Sequence, residues 1–328
     1  MFGACVARAL DRHWRALGEP DPFVVIEAGA GRGRLARDVQ RARPDCERAL
    51  HYVLVERSAV LREEQRRRLE LDPADEALGP FTRAARDEAP APVAGSGPVF
   101  VALEELPALE LGGVVLANEL LDNLPFGIAE RSESGWREVR VAHEAQGFAE
   151  LLVPAEPADA RALDAVVGGG AVPVGARLPI PRGLDEWLAA CGRMLRHGSL
   201  LVIDYVDDAA GLVARGPAGW VRTYRAHERG GSPLDAPGEQ DITADVVREQ
   251  LAHAARVSGL SVESDVAQAD WLRDLGIDDL AESGRRTWEA RARVGDLDAI
   301  AARSRVVEAA ALTDAGGLGG HRVVTLTR

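Results

Sequence analysis

A short apolar strand that runs into a glycine-rich loop constrains this chain more than any other feature. Residues 23–26 are a continuous apolar run, typical of a buried parallel strand, and Glu27-Ala-Gly-Ala-Gly-Arg-Gly33 follows directly. Glycines let a backbone approach a ligand closely, and the N-terminus of a following helix offers unpaired N–H groups. The segment therefore predicts the strand, loop and helix of a nucleotide or nucleoside cofactor site in an α/β fold.

The spacing of this loop distinguishes between cofactors. A dinucleotide-binding G-x-G-x-x-G loop would need glycine at position 34, where this chain has Arg34. Instead, Gly29, Gly31 and Gly33 alternate with other residues after the acidic Glu27. This pattern suits a ligand with an amino acid moiety, because Glu27 can bind its ammonium and loop amides can bind its carboxylate.

Glu56 supplies a second group for such a cofactor. It follows another apolar strand, residues 51–55, and its carboxylate can accept both hydroxyl protons of a ribose. A glycine loop alone can be a plain tight turn. Glu56 at the end of the next strand makes that alternative weaker.

A second polar segment, residues 117–125, follows an apolar strand at 113–116 and reads Ala-Asn-Glu-Leu-Leu-Asp-Asn-Leu-Pro. Ligands of open parallel sheets bind at the carboxyl ends of the strands, so we expect Asn118 and Glu119 near the reactive end of the cofactor. If a helical turn follows, Glu119 and Asp122 share one face. Two carboxylates suit the orientation of a guanidinium, although these acids could instead cap a helix or contact the cofactor.

A third segment contributes weaker candidates for a substrate wall. Tyr224 and His227 lie in a polar connection rich in proline and glycine, and long connections of this kind are commonly functional or disordered. Tyr205 follows another apolar strand, and Asp241 opens an Asp-Ile-Thr-Ala sequence. Capping of a helix by Asp241 is an equally good interpretation.

Charge and composition exclude several classes of protein. The net charge is −13, which argues against a general nucleic-acid or anionic-membrane surface. All 39 basic residues are arginine, so a Walker A loop and Schiff-base chemistry are excluded. No apolar run approaches 18 residues, and the scattered histidines predict no metal site. Three distant cysteines indicate a reducing compartment, and we expect a cytoplasmic protein.

In this order the segments resemble the MidA-like methyltransferases, which include the mitochondrial complex I assembly methyltransferase. The matching stretches are residues 26–35, 54–65, 117–125, 204–205, 224–227 and 241–246. The resemblance implies S-adenosylmethionine as methyl donor and, for mitochondrial members, an arginine of a respiratory complex I subunit as acceptor. Carried onto this chain, it implies that the cofactor is held by Glu27, Gly29, Gly31, Gly33 and Glu56, and that Asn118 and Glu119 lie beside the methyl.

The same resemblance implies an α/β class I, Rossmann-like fold with a seven-stranded, mostly parallel sheet. We expect one domain over residues 1–328, with antiparallel hairpins inserted at about 126–183 as a substrate wall or lid, and a purely structural addition is an equally good interpretation of this insertion. A family segment upstream of the first helix is expected to be absent. Hairpin strands are predicted at 126–131, 136–142 and 148–153, and a helix at 244–257.

The predicted function is methyl transfer to a nitrogen, with an arginine of a protein partner as acceptor and with Glu119 and Asp122 as catalytic residues. A small-molecule methyltransferase and a non-catalytic cofactor-binding assembly factor stay open as alternatives. The sequence does not indicate an oligomeric state.

Overall fold

The computed structural model describes most of the chain, namely residues 1–78, 95–108, 110–145, 147–225 and 228–328. The described chain separates into two compact units. The first unit comprises residues 1–118, 190–203 and 260–328, and the second comprises residues 119–189 and 204–259. The division of the chain into one domain with an insertion at 126–183 stays a prediction.

Helices and strands alternate along most of the chain. The helices are α1 (Phe2–Ala16), α2 (Arg34–Ala42), α3 (Ala59–Arg68), α4 (Ala74–Ala77), α5 (Pro157–Val166), α6 (Arg182–Met194), α7 (Ala209–Arg215), α8 (Pro217–Trp220), α9 (Arg248–Val257), α10 (Gln268–Asp274), α11 (Ile277–Arg291) and α12 (Leu297–Thr313). The strands are β1 (Phe23–Ala28), β2 (Leu50–Val55), β3 (Val99–Leu103), β4 (Leu111–Asn118), β5 (Gly127–Ser132), β6 (Gly135–Glu144), β7 (Gly147–Pro154), β8 (Arg177–Ile180), β9 (Leu195–Asp204), β10 (Val206–Asp207), β11 (Val221–Arg225), β12 (Glu228–Arg229), β13 (Asp241–Ala244), β14 (Val246–Val247), β15 (Ser261–Ala267) and β16 (Arg322–Thr327).

The first unit contains a seven-stranded sheet in the order β15-β16-β9-β4-β1-β2-β3. The strands from β9 to β3 pair in parallel, whereas β15 and β16 pair antiparallel. This is the α/β sheet that was predicted. Parallel strands are buried on both faces, which is why β2 is buried along its whole length and packs in a core with Phe23, Leu10 and Leu201. The chain order reverses between β1 and β4, where open sheets bind their ligands.

The second unit is mainly antiparallel. It contains sheets in the orders β7-β6-β5-β8 and β12-β11-β13 and a short parallel pair, β10-β14. The hairpins predicted between residues 126 and 153 are present as β5, β6 and β7. Its core surrounds the fully buried Trp220, with Ala129, Leu178 and Leu212 among its neighbours.

The helix predicted at 244–257 begins only at Arg248, so this prediction is partly wrong. The preceding residues form β13 and β14 instead, because Thr243 pairs with Arg222 of β11 and Val246 pairs with Val206. Tertiary pairing of β-branched residues overrides the helical pattern here. Asp241 accordingly begins a strand and does not cap a helix.

Candidate active site

The predicted cofactor ligands of the first unit lie at one edge of the parallel sheet. Ala28 pairs in register with Val55 of β2 and with Ala117 of β4. The next residues of the three strands therefore emerge together, and they include Glu56 and the half-buried Asn118. The structure brings these residues to the carboxyl ends of the strands, as the sequence predicts.

The loop after β1 depends on glycine at three positions. Gly29, Gly31 and Gly33 have φ values of 70°, 52° and 70°, in the left-handed region that disfavours other residues. The N–H groups of Gly29 and Ala30 donate to the carbonyl of Val55 at 2.9 and 3.0 Å. These bonds turn the chain sharply before α2 begins, so the backbone of the loop remains close to the sheet edge.

Gly33→Ala is expected to destabilise the protein more than Gly31→Ala. A Cβ at Gly33 would lie 3.2 Å from both Gln65 Cγ and Leu54 Cδ2, whereas no atom lies within 4 Å of a Cβ at Gly31. Left-handed backbone alone costs about 1–2 kcal/mol for a non-glycine residue, and crowding adds to this at Gly33. Urea unfolding of both variants measures the difference. Equal losses of unfolding free energy in the two variants would mean that Leu54 and Gln65 move aside freely.

Two polar side chains brace the glycine loop, one directly after β2 and one on α3. Glu56 accepts the N–H of Gly31 at 3.0 Å on one oxygen and the N–H of Ser58 at 2.8 Å on the other. The fully buried Gln65 donates to the Gly31 carbonyl at 2.7 Å. A carboxylate has about four acceptor positions, so each Glu56 oxygen can accept a further hydrogen bond.

Glu27 is a buried carboxyl at the start of the loop. It is 4% exposed, and its partner is the Tyr52 hydroxyl, which donates to Oε2 at 2.9 Å. Burial raises the pKa of Glu27 to about 8, and the Tyr52 hydrogen bond lowers it in part. A buried carboxyl with one neutral donor is well suited to a cationic ligand, because a cation would favour its ionised form.

The stability of the protein is expected to fall between about pH 4.5 and pH 8 because of Glu27. In the unfolded chain this carboxyl loses its proton near its ordinary pKa of 4.5, but in the folded protein it keeps the proton until about pH 8. The folded state then binds more protons, so rising pH favours unfolding. Urea unfolding of wild type and Glu27→Gln at pH 5 and pH 8 tests this. An equal change in the free energy of unfolding between pH 5 and pH 8 in the two proteins would contradict this expectation.

The sequence places Glu119 and Asp122 on one face only if both lie in a helical turn. In the second unit, Glu119 does not lie in such a turn. Its φ is +51°, and a one-turn 3₁₀ helix, Leu121–Asn123, begins only after it. Such backbone costs about 1–2 kcal/mol for a non-glycine residue, and this kind of strain clusters at functional sites. Surrounding atoms partly shield the Glu119 carboxyl and raise its pKa, although the residue is exposed.

Asp122 and Asp204 form a buried acidic pair that is 5% and 0% exposed. Asp204 accepts the N–H groups of Leu121 at 2.8 Å and Tyr205 at 2.9 Å. Burial raises the pKa of Asp122 to about 6, with a further contribution from the Glu119 charge. Burial and the Asp122 charge raise the pKa of Asp204 to about 8. Burial and their mutual repulsion therefore raise the pKa of both carboxyls.

Arg222 and Asp245 join this cluster without having been predicted. The Arg222 guanidinium lies 4.6 Å from the centre of the Tyr205 ring and 2.5 Å from an oxygen of the buried Asp245. Asp245 also forms an ion pair with Arg215 at 2.8 Å. The positive charge of Arg222 lowers the pKa of Asp122 and so favours its ionised form. We define Glu119, Asp122, Asp204, Tyr205, Arg222 and Asp245 as the acidic cluster.

The structure describes the positions of three of the four residues predicted to line the substrate site. Tyr224 lies on β11 opposite the exposed Asp241 of β13. Burial and the charge of Glu119 raise the pKa of Tyr205. His227 lies outside the described residues. Within the described residues, no group of histidine, cysteine and acidic side chains could hold a metal ion, and no helix is long and apolar enough to span a membrane.

Comparison with known proteins identifies the family. Residues 5–265 match the family described as "Putative S-adenosyl-L-methionine-dependent methyltransferase". The chain belongs to this family. The family description names S-adenosylmethionine, which confirms the cofactor predicted from the glycine loop and Glu56. It also confirms the resemblance to methyltransferases on which the predicted fold was based.

Relatives of this methyltransferase family member include protein arginine methyltransferase NDUFAF7 of Bos taurus, 30% identical over 85% of this chain and 62% of the relative. The Drosophila melanogaster homologue is 27% identical over 79% of this chain and 58% of the relative. The chain thus spans about three fifths of their length. A COG1565 superfamily member from Burkholderia thailandensis, bound to S-adenosyl-homocysteine, shares the fold with a TM-score of 0.77 and 24% identity, covering 100% of this chain and 76% of that one.

These relatives also correct one prediction. Both NDUFAF7 proteins are named as mitochondrial, so the prediction of a cytoplasmic location is wrong. The prediction used the absence of paired cysteines, and Cys5, Cys46 and Cys191 are indeed free and buried. Free thiols indicate a reducing environment, which does not distinguish the cytoplasm from other reducing compartments.

Proposed function

We propose that this chain transfers a methyl group from S-adenosylmethionine to a guanidinium nitrogen of an arginine in a partner protein. The observation that carries the proposal is the acidic cluster, whose Glu119 directly follows Asn118 at the end of the cofactor-site strand β4. The names of the relatives, which are protein arginine methyltransferases, support the same acceptor. A respiratory complex I subunit as the partner stays a prediction.

The residues of the first unit fit the proposed cofactor. The buried Glu27 carboxyl would bind the ammonium and ionise in doing so, since its pKa lies near 8 without a cation. Glu56 would accept the ribose hydroxyls while it continues to brace Gly31. The space beside Gly31 is open, so the ligand can approach the loop backbone there. When bound, S-adenosylmethionine supplies an electrophilic methyl group on its sulfonium.

The acidic cluster would position the acceptor nitrogen and take its proton. A guanidinium has a pKa above about 12, so it must be oriented and must lose one proton as the new N–C bond forms and the C–S bond breaks. Asp122 is ionised above about pH 6 and would accept that proton, while Glu119 would orient the guanidinium through hydrogen bonds. Arg222 is held by a carboxylate and an aromatic ring, so the cluster already accommodates one guanidinium.

The test is transfer of a tritiated methyl group from S-adenosylmethionine into a lysate that lacks the endogenous enzyme, followed by mass spectrometry of the labelled products. Label on arginine residues of one or a few proteins is the expected result. Label only on small molecules would replace the protein acceptor with the small-molecule alternative. Cofactor binding without any label would support a non-catalytic assembly factor.

A further inference from the structure

Helix α12 of the first unit is apolar on two opposite faces. Its inner face buries four residues, Ala299, Ala302, Ala309 and Leu312. Its outer face carries Leu297, Ile300 and Val307, which are 83%, 57% and 64% exposed. A surface helix normally presents a polar face to water, and a helix that is apolar all round is normally buried. The outer face of α12 therefore has the composition of a covered surface.

The residues of this outer face follow the spacing at which helices pair. Positions 297, 300, 304, 307 and 311 are three, four, three and four residues apart, and they hold Leu, Ile, Ser, Val and Ala. Alternate steps of three and four keep one stripe directed at a second helix along its whole length. Ser304 and Ala311 are small and exposed, so a second helix can approach closely. We define these five residues as the outer seam.

The inner face anchors α12 in its unit. Ala309 and Leu312 pack in a core with Cys5 of α1 and Leu272 of α10. The Asp296 carboxylate caps the start of the helix by accepting a backbone N–H at 3.0 Å. The outer seam therefore belongs to a helix that is already formed and held in place, which lowers the cost of ordering it on association.

The charges on the two sides of the outer seam indicate which occupant fits. Arg303 directly precedes seam position 304, and Glu308 directly follows seam position 307. When two identical helices pair in parallel, these two flanking positions meet across the pair, so Arg303 of each copy would face Glu308 of the other. Antiparallel pairing would bring each flank against the same flank of the other copy, without this attraction. The charges therefore favour a second copy of this chain in parallel.

Both charged groups are able to make this contact. The Arg303 guanidinium lies 5.4 Å from the centre of the Trp288 ring, and stacking of this kind leaves the N–H edge of the group available for hydrogen bonds. Glu308 accepts the N-terminal amine of Met1 at 2.8 Å and the N–H of Phe2 at 3.4 Å, both on Oε1. The Glu308 side chain is 46% exposed, so its Oε2 atom can accept a bond from a second copy.

We propose that the outer seam of α12 pairs in parallel with the outer seam of a second copy of this chain, with Arg303 and Glu308 forming an ion pair on each side. A helix of this length extends about 25 Å, so the interface is small and the dissociation constant should be on the order of 10 µM. The outer seam contains none of the proposed cofactor or acceptor residues, so this dimer does not depend on the proposed function.

The test is sedimentation equilibrium of the whole chain from about 1 to 100 µM, a range that brackets the expected dissociation constant. The mass should rise from that of a monomer to that of a dimer. A monomer throughout this range would overturn the proposal.

One apolar substitution locates the interface. Leu297→Asp should weaken association at least about tenfold, because it places a charge in the seam. Leu297 is the first residue of α12, where an acid favours the helix, and the thermal midpoint checks that the variant is folded. Val257→Asp is the matched control, since Val257 is 73% exposed on α9, and it should associate as wild type does. Wild-type association of Leu297→Asp would show that the interface lies elsewhere and that the proposal is wrong.

Charge variants test the parallel orientation. Arg303→Glu and Glu308→Arg should each weaken association about tenfold, because each replaces two attractive pairs with two repulsive ones. The double variant Arg303→Glu/Glu308→Arg should recover wild-type association. Arg305→Glu changes an exposed arginine of α12 outside the seam and its flanks, so it is the matched control and should associate normally. If the single charge variants associate as wild type does, or if the folded double variant does not recover, the copies do not pair in parallel and the proposal fails.

Discussion

Replacing Asp122 with asparagine is expected to lower the rate of methyl transfer by about 10²–10⁴-fold, the usual contribution of a positioned general base. Asparagine has nearly the same shape, and Asp122 is not among the proposed cofactor ligands, so the affinity for S-adenosylmethionine should not change. The carboxylate that accepts the proton is lost, whereas the buried setting is kept. Single-turnover transfer of a labelled methyl group, with parallel titration of the cofactor, measures both quantities.

The pH profile separates a role in proton transfer from a structural one. Wild-type kcat should rise with pH through about 6, because burial raises the pKa of Asp122 to that value and only the ionised form accepts a proton. Asp122→Asn should lack this rise. Asp270→Asn, which removes an exposed carboxylate on α10, serves as the matched control and should keep both the rate and the profile. Wild-type turnover by Asp122→Asn would exclude Asp122 as the base.

The cofactor half of the site could be predicted because its determinants are local in sequence. Glu27 and the three glycines lie within seven residues, and Glu56 directly follows the strand that pairs with β1. In a parallel sheet the carboxyl ends of neighbouring strands lie side by side, and this does not depend on the rest of the chain. The glycine spacing also corresponds to backbone geometry, since each of the three residues has positive φ.

The acidic cluster could be predicted only in part, because much of it depends on tertiary pairing. Asp204 could have been found, since it is the last residue of the apolar strand β9, much as Glu56 directly follows the apolar strand β2. Arg222 and Asp245 carry no such signal. They meet because β11 pairs with β13, and Asp245 directly follows β13, within the stretch whose sequence pattern favoured a helix. The left-handed backbone of Glu119 is likewise set by its surroundings, since glutamate does not favour it.

Glu56→Ala is expected to weaken S-adenosylmethionine binding by about 10²–10⁴-fold. Two charge-assisted hydrogen bonds to the ribose would be lost, each worth about 1.5–3 kcal/mol. The substitution also removes the acceptor of the Gly31 and Ser58 N–H groups, so the glycine loop loses a brace at the same time. Isothermal titration of the folded variant measures the affinity, and its thermal midpoint shows how much of the loss comes from the loop.

Glu56→Gln separates the two contributions. Glutamine keeps one acceptor oxygen but no charge, so it can still accept the N–H of Gly31 or Ser58, though not both, and it should weaken binding by an amount between wild type and Glu56→Ala. Glu63→Ala is the matched control, because Glu63 lies on the neighbouring α3 and pairs only with the exposed Arg66 and Arg67 among the described residues. It should bind the cofactor normally. If Glu56→Ala bound as tightly as Glu63→Ala, Glu56 would be a structural brace of the loop and the ribose would be held elsewhere.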